Sequence, residues 1–251
     1  MADRTLNIFA SDVHLGLDVA DPAAREARFV DFLKSIPADR TEGLYLLGDI
    51  WDFWYEYKHV VPKGYVKVFA AITELLEAGV KVYFFPGNHD IWVYHYFESL
   101  GMTVVRDRWL IKEIGGKTFC LSHGDGLGHG MTGYKFMRAI FHGRFFQVLF
   151  SLLHPRIAFG IGRTWSKRSR LAKQKKYVFK GESEPLYGWA EELSSGQKID
   201  YCIFGHYHCP YRAYLSTGAE LLILDDWMEG APYLCFSPTS GISGSLPNIE
   251  K

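Results

Sequence analysis

The sequence predicts an α/β fold that combines two sheets with helices. Up to Phe85, short apolar runs alternate with amphipathic segments, which is typical of strands connected by helices. Beyond residue 100, strand-like runs follow one another through tight turns such as Gly115-Gly116. A segment near 126–181 is helical in character. We therefore expect a single domain over residues 1–251 with a helical insertion at about 126–181.

The first part of the chain is expected to run strand, helix, strand, helix, strand. These elements are placed at 6–10, 22–36, 44–47, 65–77 and 80–85. Asp21 suits a helix N-cap because it directly precedes Pro22. Gly79 suits the end of the second helix, since glycine adopts the left-handed conformation found there.

The second part is expected to be rich in short strands. They are placed at 103–105, 109–114, 117–121 and 201–204, followed by a β-meander at 211–215, 220–224 and 232–236. Helical structure is expected from Met131 to about Lys176, split near Pro155. The tail from Ser237 is rich in Gly, Ser and Pro, which predicts a loosely held terminus.

Charge is distributed unevenly along a chain whose formal net charge is zero. Between Gly126 and Gly181 there are 12 basic residues and no acidic one, which leaves 16 basic against 28 acidic residues elsewhere. This cationic segment indicates an anionic partner. The N-terminus does not resemble a signal peptide, and no apolar window reaches the ~18 residues of a spanning helix. Scattered cysteines without a CxxC pair predict buried thiols in a reducing cytosol.

Polar side chains of metal-binding type follow five predicted strands. In chain order they are Asp12 and His14, Asp49 and Asp52, Asn88 to Asp90, His123 and Asp125, and His206 and His208. Any one of these loops alone could be an ordinary turn or cap. Ligands of α/β sheets bind beyond the carboxyl ends of strands, so we expect all five loops to meet in one crevice.

The residue types indicate which chemistry such a crevice supports. Carboxylate, amide and imidazole groups suit divalent Mn, Fe, Co or Zn better than metals that prefer thiolates. Seven candidate ligands exceed what one ion with an open position needs: Asp12, His14, Asp49, Asn88, His123, His206 and His208. They fit two ions about 3.5–4 Å apart that share a carboxylate, an arrangement suited to phosphoester hydrolysis.

The blocks DVH, GDIWD, GNHD, SHGD and GHYH, in that order, resemble the signatures of the calcineurin-like metallophosphoesterases. That family folds as a two-sheet β-sandwich flanked by helices. The resemblance implies that Asp12, His14 and His208 bind the first metal, and that Asp49 bridges. Asn88, His123 and His206 are implied to bind the second metal. His89 would face the substrate phosphate and Asp52 would orient it, whereas Asp90 is assigned no role beyond the turn.

Within the family, GDIWDFW departs from the GDxxDRG of protein phosphatases. It is similar to the branch that hydrolyses UDP-2,3-diacylglucosamine, a lipid A precursor, to UMP and 2,3-diacylglucosamine 1-phosphate. SHGDGLGHGMTGYKFMRAIF and LDDWMEG resemble further segments of that branch. Its best-studied enzymes have GNRD, whereas His89 gives GNHD, the form of a second group with the same activity. The resemblance implies that the protein binds two divalent ions, with Mn²⁺ as the first candidate. It also implies that the protein acts at the cytoplasmic face of a Gram-negative inner membrane.

The insertion allows two interpretations. Its many apolar residues could be two helices packed on each other and on the body. Alternatively, they form a lid that lines an acyl-chain pocket and rests on an anionic membrane, since basic residues rim an apolar face. Arg163, Arg170 and Lys173 share one helical face and are candidate substrate contacts, as is Tyr134. No nucleic-acid module is recognisable, so nucleic acid is not the expected partner.

Three functions remain open from the sequence. The first is hydrolysis of UDP-2,3-diacylglucosamine, the second hydrolysis of another nucleotide or lipid phosphoester. A soluble substrate does not require an apolar insertion, which favours the first. The third is a non-enzymatic binding module on the same scaffold. A site that had lost its catalytic role would be expected to lack some metal ligands, and all seven candidate ligands are present, which disfavours this function.

Overall fold

The computed structural model describes residues 4–172 and 177–246, and within them the chain forms two sheets and seven α-helices. The strands are β1 (Leu6–Ala10), β2 (Thr41–Leu46), β3 (Lys81–Phe84), β4 (Thr103–Val104), β5 (Leu110–Ile114), β6 (Lys117–Leu121), β7 (Tyr201–Phe204), β8 (Tyr211–Tyr214), β9 (Glu220–Ile223), β10 (Leu234–Ser237) and β11 (Gly241–Gly244). The helices are α1 (Pro22–Ser35), α2 (Val66–Glu77), α3 (Tyr96–Ser99), α4 (Thr132–His142), α5 (Arg144–Ser151), α6 (Pro155–Ala172) and α7 (Pro185–Gly196).

Both sheets are mixed. The first has the order β11-β10-β1-β2-β3-β4, with β1 to β4 parallel and β10 antiparallel to β1. The second has the order β5-β6-β7-β9-β8, with β6, β7 and β9 parallel. The predicted α/β class with two sheets and flanking helices is confirmed.

The two sheets pack face to face, and side chains that alternate along each strand point either between the sheets or outward. On β1, Ile8 packs in a cluster with the helices α1 and α2, whereas Phe9 points into the space between the sheets. There the ring of Phe9 stacks on Phe119 of β6, with centroids 5.7 Å apart. On the outer face of the second sheet, Cys202 packs with Leu186 of α7. The order of layers is therefore helices, sheet, sheet and helix.

The ends of the first two helices follow from local chemistry. Oδ1 of Asp21 accepts hydrogen bonds from the N–H groups of Ala23 and Ala24, as expected of an N-cap. Tyr65 has a left-handed backbone with φ of 58° and therefore precedes α2 instead of beginning it. Gly79 has φ of 88°, a conformation that costs glycine little, and the chain turns there toward β3.

The structure corrects the predicted order of the last strands. The expected meander is wrong, because β10 leaves the second sheet and pairs antiparallel with β1 in the first. The tail is held to residue 244, since β11 pairs with β10. Helices α3 and α7 were absent from the sequence prediction. Alternating apolar and polar periods do not show which strand a segment will pair with, and four residues of α3 are too few to give a helical period.

Helices α4, α5 and α6 form a layer over the end of the sheets that carries the five polar loops, and we call residues 132–172 the lid. The predicted split near Pro155 is present, but Gly143 adds a second break that gives three helices. Tyr55 and Tyr57 of the body donate hydrogen bonds to the carbonyls of Gln147 and Leu153. These contacts hold the lid on the body. The domain boundaries remain a prediction.

The lid exposes many large apolar side chains. Large apolar side chains that are at least 45% exposed are Phe136, Phe145, Phe146, Val148, Leu149, Leu152, Ile157, Ile161 and Trp165. The two-helix interpretation, in which these groups pack away from water, is therefore insufficient. In the described residues, no helix has the length and apolar character required to cross a bilayer.

Candidate metal centre

All five predicted loops meet at one end of the two sheets. The loops after β1, β2 and β3 come from the first sheet, and those after β6 and β7 come from the second. The seven candidate ligands therefore lie where the carboxyl ends of five strands converge. The expected crevice is present, with one wall from each sheet.

The backbone at these ligands is unusual. Five of the seven have positive φ: Asp12 (55°), His14 (50°), Asp49 (53°), His206 (71°) and His208 (51°). The left-handed region costs a residue with a Cβ roughly 1–2 kcal/mol. Backbone hydrogen bonds hold this conformation in place. The N–H of Asp12 donates to the Gly48 carbonyl at 3.0 Å, and the N–H of His14 donates to the Asp49 carbonyl at 2.9 Å. Strain concentrated on polar residues of one site is typical of functional centres.

A first group contains Asp12, His14, Asp49 and His208, whose ligand atoms lie within 4.8 Å of one another. Oδ1 of Asp12 is 3.7 Å from Nε2 of His208 and 3.9 Å from Nε2 of His14. Oδ2 of Asp49 is 3.8 Å from the same His14 nitrogen. A single cation could contact all four side chains from this position.

A second group lies on the other side of Asp49. Asp49, His123 and His206 place their ligand atoms within 4.8 Å of one another. Nε2 of His123 is 3.4 Å from Oδ2 of Asp49 and 3.3 Å from Oδ1 of Asn88. Because Oδ2 of Asp49 belongs to both groups, it is positioned to bridge two ions.

Unsatisfied buried atoms test whether cations fit. Oδ2 of Asp49 and Nδ1 of His206 are buried and have no hydrogen-bond partner within the described part of the chain. A buried carboxylate oxygen left this way is costly, and a cation would satisfy it. Oδ1 of Asp49 is already used, since it accepts the His89 N–H at 2.9 Å. The residues therefore fit two divalent ions, and the donor set suits Mn, Fe, Co or Zn.

Electrostatics around the shared carboxylate set the protonation of the imidazoles. Burial alone would lower the pKa of His123, but the adjacent Asp49 carboxylate raises it well above its usual value. Conversely, burial opposes ionisation of Asp49, yet His123 and His89 hold its pKa well below the usual range. Burial and the charge of His123 lower the pKa of His206 to about 3, which keeps its lone pair available to a metal.

Further groups orient the imidazoles through their other ring nitrogen. Nδ1 of His123 lies 2.8 Å from the Leu47 carbonyl, and Nδ1 of His208 lies 3.3 Å from Oδ2 of Asp226. Such partners fix the ring and tautomer of metal-binding histidines. Sequence reasoning assigned no role to Asp226, although it belongs to the LDDWMEG segment singled out there.

Asp90 supports the loop that carries Asp49. Its Oδ1 accepts hydrogen bonds from the N–H groups of Gly87 at 2.8 Å and Asp49 at 3.2 Å. Its Oδ2 accepts from Ile50 at 2.9 Å and Trp51 at 3.1 Å. A fully buried carboxylate with four backbone donors ties the loops after β2 and β3 together.

His89 and Asp52 are brought together, but by a different contact from the expected one. Nδ1 of His89 donates to the backbone carbonyl of Asp52 at 2.8 Å, while the carboxylate Oδ1 is 3.6 Å away. That Oδ1 is closer to Nδ1 of His14, at 3.2 Å. The Asp52 carboxylate therefore supports a candidate metal ligand, and the Asp52 carbonyl orients His89.

A pocket of about 870 Å³, including its part open to solvent, connects these polar groups to the lid. Asn88 and His89 lie at its polar end, and its apolar walls come from Phe141, Phe150, Ile161 and Trp165 of the lid. Tyr134 also lines it, with its hydroxyl donating to Asp125 at 3.2 Å. The pocket thus combines a candidate metal centre with an apolar chamber.

Sequence reasoning did not single out Arg138, the one Arg or Lys that lines this pocket within the described residues. Its Nε donates to Oδ2 of Asp125 at 2.8 Å. Arg163 lines a separate groove with Gly16, Asp52 and Lys167. Arg170 is on α6 and Lys173 lies outside the described residues, so neither side chain is placed. Helical period alone could not show which basic residue of the lid faces inward.

Comparisons with known proteins agree with this geometry. A family model described as calcineurin-like phosphoesterase matches residues 8–210. A relative from Porphyromonas gingivalis, named UDP-2,3-diacylglucosamine hydrolase, is 31% identical over 98% of this chain and 100% of its own length. A Vibrio cholerae relative of the same name is 30% identical over 97% of this chain and 99% of its own.

Among solved structures, a dimetal phosphatase from Danio rerio is similar to this chain with a TM-score of 0.53 and 14% sequence identity. The match covers 96% of each chain. At this identity the likeness concerns the fold, and it agrees with the two-sheet architecture.

Proposed function

The chain belongs to the calcineurin-like phosphoesterase family, and from this premise we propose that it hydrolyses the diphosphate of UDP-2,3-diacylglucosamine. The products are UMP and 2,3-diacylglucosamine 1-phosphate. The observation that carries the proposal is the pocket in which His89 and Asn88 meet the apolar walls of the lid. A substrate that joins a diphosphate to acyl chains matches both ends of that pocket. The names of the Porphyromonas and Vibrio relatives support the same substrate.

Two divalent ions, Mn²⁺ first among the candidates, are proposed as cofactors. Asp12, His14 and His208 would hold one, with Asp49 shared, and Asn88, His123 and His206 would hold the other. When bound, such ions polarise phosphoryl oxygens and make water more acidic. Oxygen and nitrogen donors without thiolates favour Mn²⁺ and Fe over softer metals.

His89 is proposed to act on the substrate phosphate. Because Nδ1 donates to the Asp52 carbonyl, Nε2 is the ring nitrogen left for a phosphoryl oxygen in the pocket. A protonated His89 would stabilise developing negative charge or supply a proton to the leaving oxygen. Asp52 contributes by orienting both His89 and His14.

Arg138 and Tyr134 are proposed to bind the lipid phosphate. Acyl chains in the lid would place this phosphate on the lid side of the reacting bond, where Arg138 lines the pocket. Asp125 engages Nε of Arg138, and a guanidinium held this way presents its remaining N–H groups in a fixed direction. In the reaction, water oxygen bonds to the uridylyl phosphorus, and the bridging oxygen leaves with the lipid phosphate. Arg138 would stabilise the charge gained by that phosphate.

The outer face of the lid is proposed to rest on an anionic membrane. Exposed Phe145, Val148 and Leu152 would enter the interface, while the basic residues of the lid meet lipid headgroups. The enzyme would then work at the cytoplasmic face of the inner membrane, where its substrate is held by its acyl chains.

The test is hydrolysis in oxygen-18 water with Mn²⁺ and detergent, followed by mass spectrometry of both products. Labelled UMP and unlabelled lipid phosphate are expected. Label in the lipid phosphate would keep the substrate and contradict the attack at the uridylyl phosphorus. If a generic aryl phosphodiester is hydrolysed but the lipid nucleotide is not, the natural substrate is another phosphoester. No hydrolysis of either with several metals would favour the binding module.

A further inference from the structure

A second surface outside the lid combines basic and apolar groups. It is the segment KHVVPKGYVK, residues 58–67, which ends in the first turn of α2 and which we call the basic loop. It contains Lys58, Lys63 and Lys67, and no acidic residue occurs between Glu56 and Glu74. Outside the segment from Gly126 to Gly181, acidic residues outnumber basic ones by 28 to 16, so this loop differs in charge from the body that carries it.

The basic loop presents apolar side chains to solvent together with its charges. Val60 is 50% exposed and Val66 is 76% exposed, and all three lysines are exposed. Single exposed valines are common on protein surfaces and need no explanation. Here they alternate with lysines, the arrangement found in segments that lie at a membrane interface.

The position of the basic loop makes it continuous with the lid. At one end, Tyr57 donates its N–H to the Val60 carbonyl at 2.9 Å and its hydroxyl to the Leu153 carbonyl at 3.1 Å. At the other end, the Tyr65 hydroxyl donates to Leu15, beside Gly16, which lines a groove together with Arg163. One end of the basic loop is therefore held beside Leu153, just before α6, and the other end lies near the groove that Arg163 of α6 lines.

We propose that the basic loop is a second membrane contact and that it binds anionic lipid headgroups next to the lid. This inference rests on the proposed function, in which the lid meets the membrane. Lysines near an anionic leaflet each contribute favourably, and valines between them can enter the interface. Two linked contacts would restrict the orientation of the body on the bilayer and direct the pocket toward lipid within it.

The experiment is vesicle co-sedimentation of the full chain loaded with Mn²⁺. The variant Lys58→Glu/Lys63→Glu is compared with Lys34→Glu/Lys198→Glu, which changes the net charge equally. Lys34 is exposed in the last turn of α1, which leads into β2, and Lys198 is exposed just before β7. Both therefore lie at the end of the sheets opposite the metal centre. Vesicles contain phosphatidylethanolamine with phosphatidylglycerol, or phosphatidylcholine alone.

We expect the basic-loop variant to partition at least about tenfold less onto the anionic vesicles than its charge-matched control does. We also expect weak binding of wild type to phosphatidylcholine. Equal partitioning of the two variants overturns the inference, as does wild-type binding that ignores lipid charge or is absent.

Hydrolysis of detergent-dispersed UDP-2,3-diacylglucosamine separates this inference from the function beneath it. Both variants should retain wild-type rates, because the basic loop does not line the pocket. A wild-type protein that binds vesicles through the basic loop but leaves this substrate intact contradicts the proposed function alone. A protein that hydrolyses it but binds vesicles equally in both variants contradicts the basic-loop contact alone.

Discussion

The Ser166 hydroxyl of α6 donates a 2.6 Å hydrogen bond to Oδ1 of Asp52. Both residues are buried, and the same oxygen lies 3.2 Å from Nδ1 of His14. One carboxylate oxygen therefore joins a lid helix to an imidazole of the candidate metal centre. The position of the lid and the orientation of a metal ligand are linked through this contact.

Replacing Ser166 should weaken this link. Hydrogen bonds to charged groups contribute roughly 1.5–3 kcal/mol, so Ser166→Ala should lower kcat/KM for the lipid nucleotide by about tenfold or more. Hydrolysis of a small aryl phosphodiester, which needs no lid, should fall much less. Thr164→Ala is the matched control, since Thr164 is exposed and, among the described residues, its hydroxyl donates within α6 to the Gly160 carbonyl. Equal losses on both substrates would show that Ser166 does not act through the lid.

Arg138→Ala should affect the lipid nucleotide more than a substrate without a leaving phosphate. Loss of a charged contact in the pocket should reduce kcat/KM by roughly ten- to a hundredfold and weaken binding of the lipid 1-phosphate product. Arg144 is an exposed residue of α5, so Arg144→Ala should change neither kcat/KM nor the affinity for the product. Calorimetry of product binding checks this, and unchanged affinity for the lipid phosphate would refute the assignment.

His89→Ala should reduce turnover without removing metal. His89 lines the pocket and lies outside the two ligand groups that share Asp49, although its ring is also grouped with His14 and Asp52. General acid–base groups typically contribute about 10²–10⁴-fold, so a loss in that range is expected with full metal content. Asn88→Ala, one residue earlier, should instead lose metal. Elemental analysis alongside the rate measurement distinguishes the two.

Metal binding should release a proton near neutral pH. The raised pKa of His123 means that the imidazole holds its proton at pH 7 in the metal-free protein. A metal requires the neutral ring, so metal affinity should rise with pH through this range. Calorimetric titrations in buffers of different ionisation enthalpy count the protons, and His123→Ala should remove this release. Affinity that is independent of pH in the wild type would be inconsistent with it.

Asp90→Ala should destabilise the two loops that carry Asp49 and Asn88. Four backbone N–H groups would lose their acceptor, and each buried unsatisfied donor costs roughly 1–3 kcal/mol. We expect a large loss of thermal stability and weakened metal binding. Asp90→Asn keeps one acceptor oxygen, so its melting temperature and metal affinity should lie between those of Asp90→Ala and the wild type. Thermal unfolding with and without Mn²⁺ measures both effects, and an unchanged melting temperature would exclude this role.

Much of the site could be predicted because its signal is local. Polar residues directly after buried strands, such as Asp49 after β2 and His123 after β6, must appear at the carboxyl ends of those strands. Their convergence follows from parallel strands. The contact between Asp52 and His14 could not be predicted, because it depends on left-handed backbone at His14 and on a lid helix that arrives more than a hundred residues later.

Other features depend on long-range pairing. The exit of β10 to the first sheet is decided by its antiparallel partner β1, which lies at the opposite end of the chain. Among the basic lid residues whose side chains the structure describes, Arg138 is distinguished by lining the pocket and by its contact with Asp125. Neither relation leaves a trace in local periodicity.

Anomalous diffraction from crystals grown with Mn²⁺ would test the shared metal centre most directly. We expect two peaks about 3.5–4 Å apart. One should be bound by Asp12, His14 and His208, the other by Asn88, His123 and His206, with Asp49 on both. A single peak, or two peaks that do not share Asp49, would contradict the two-metal hydrolase.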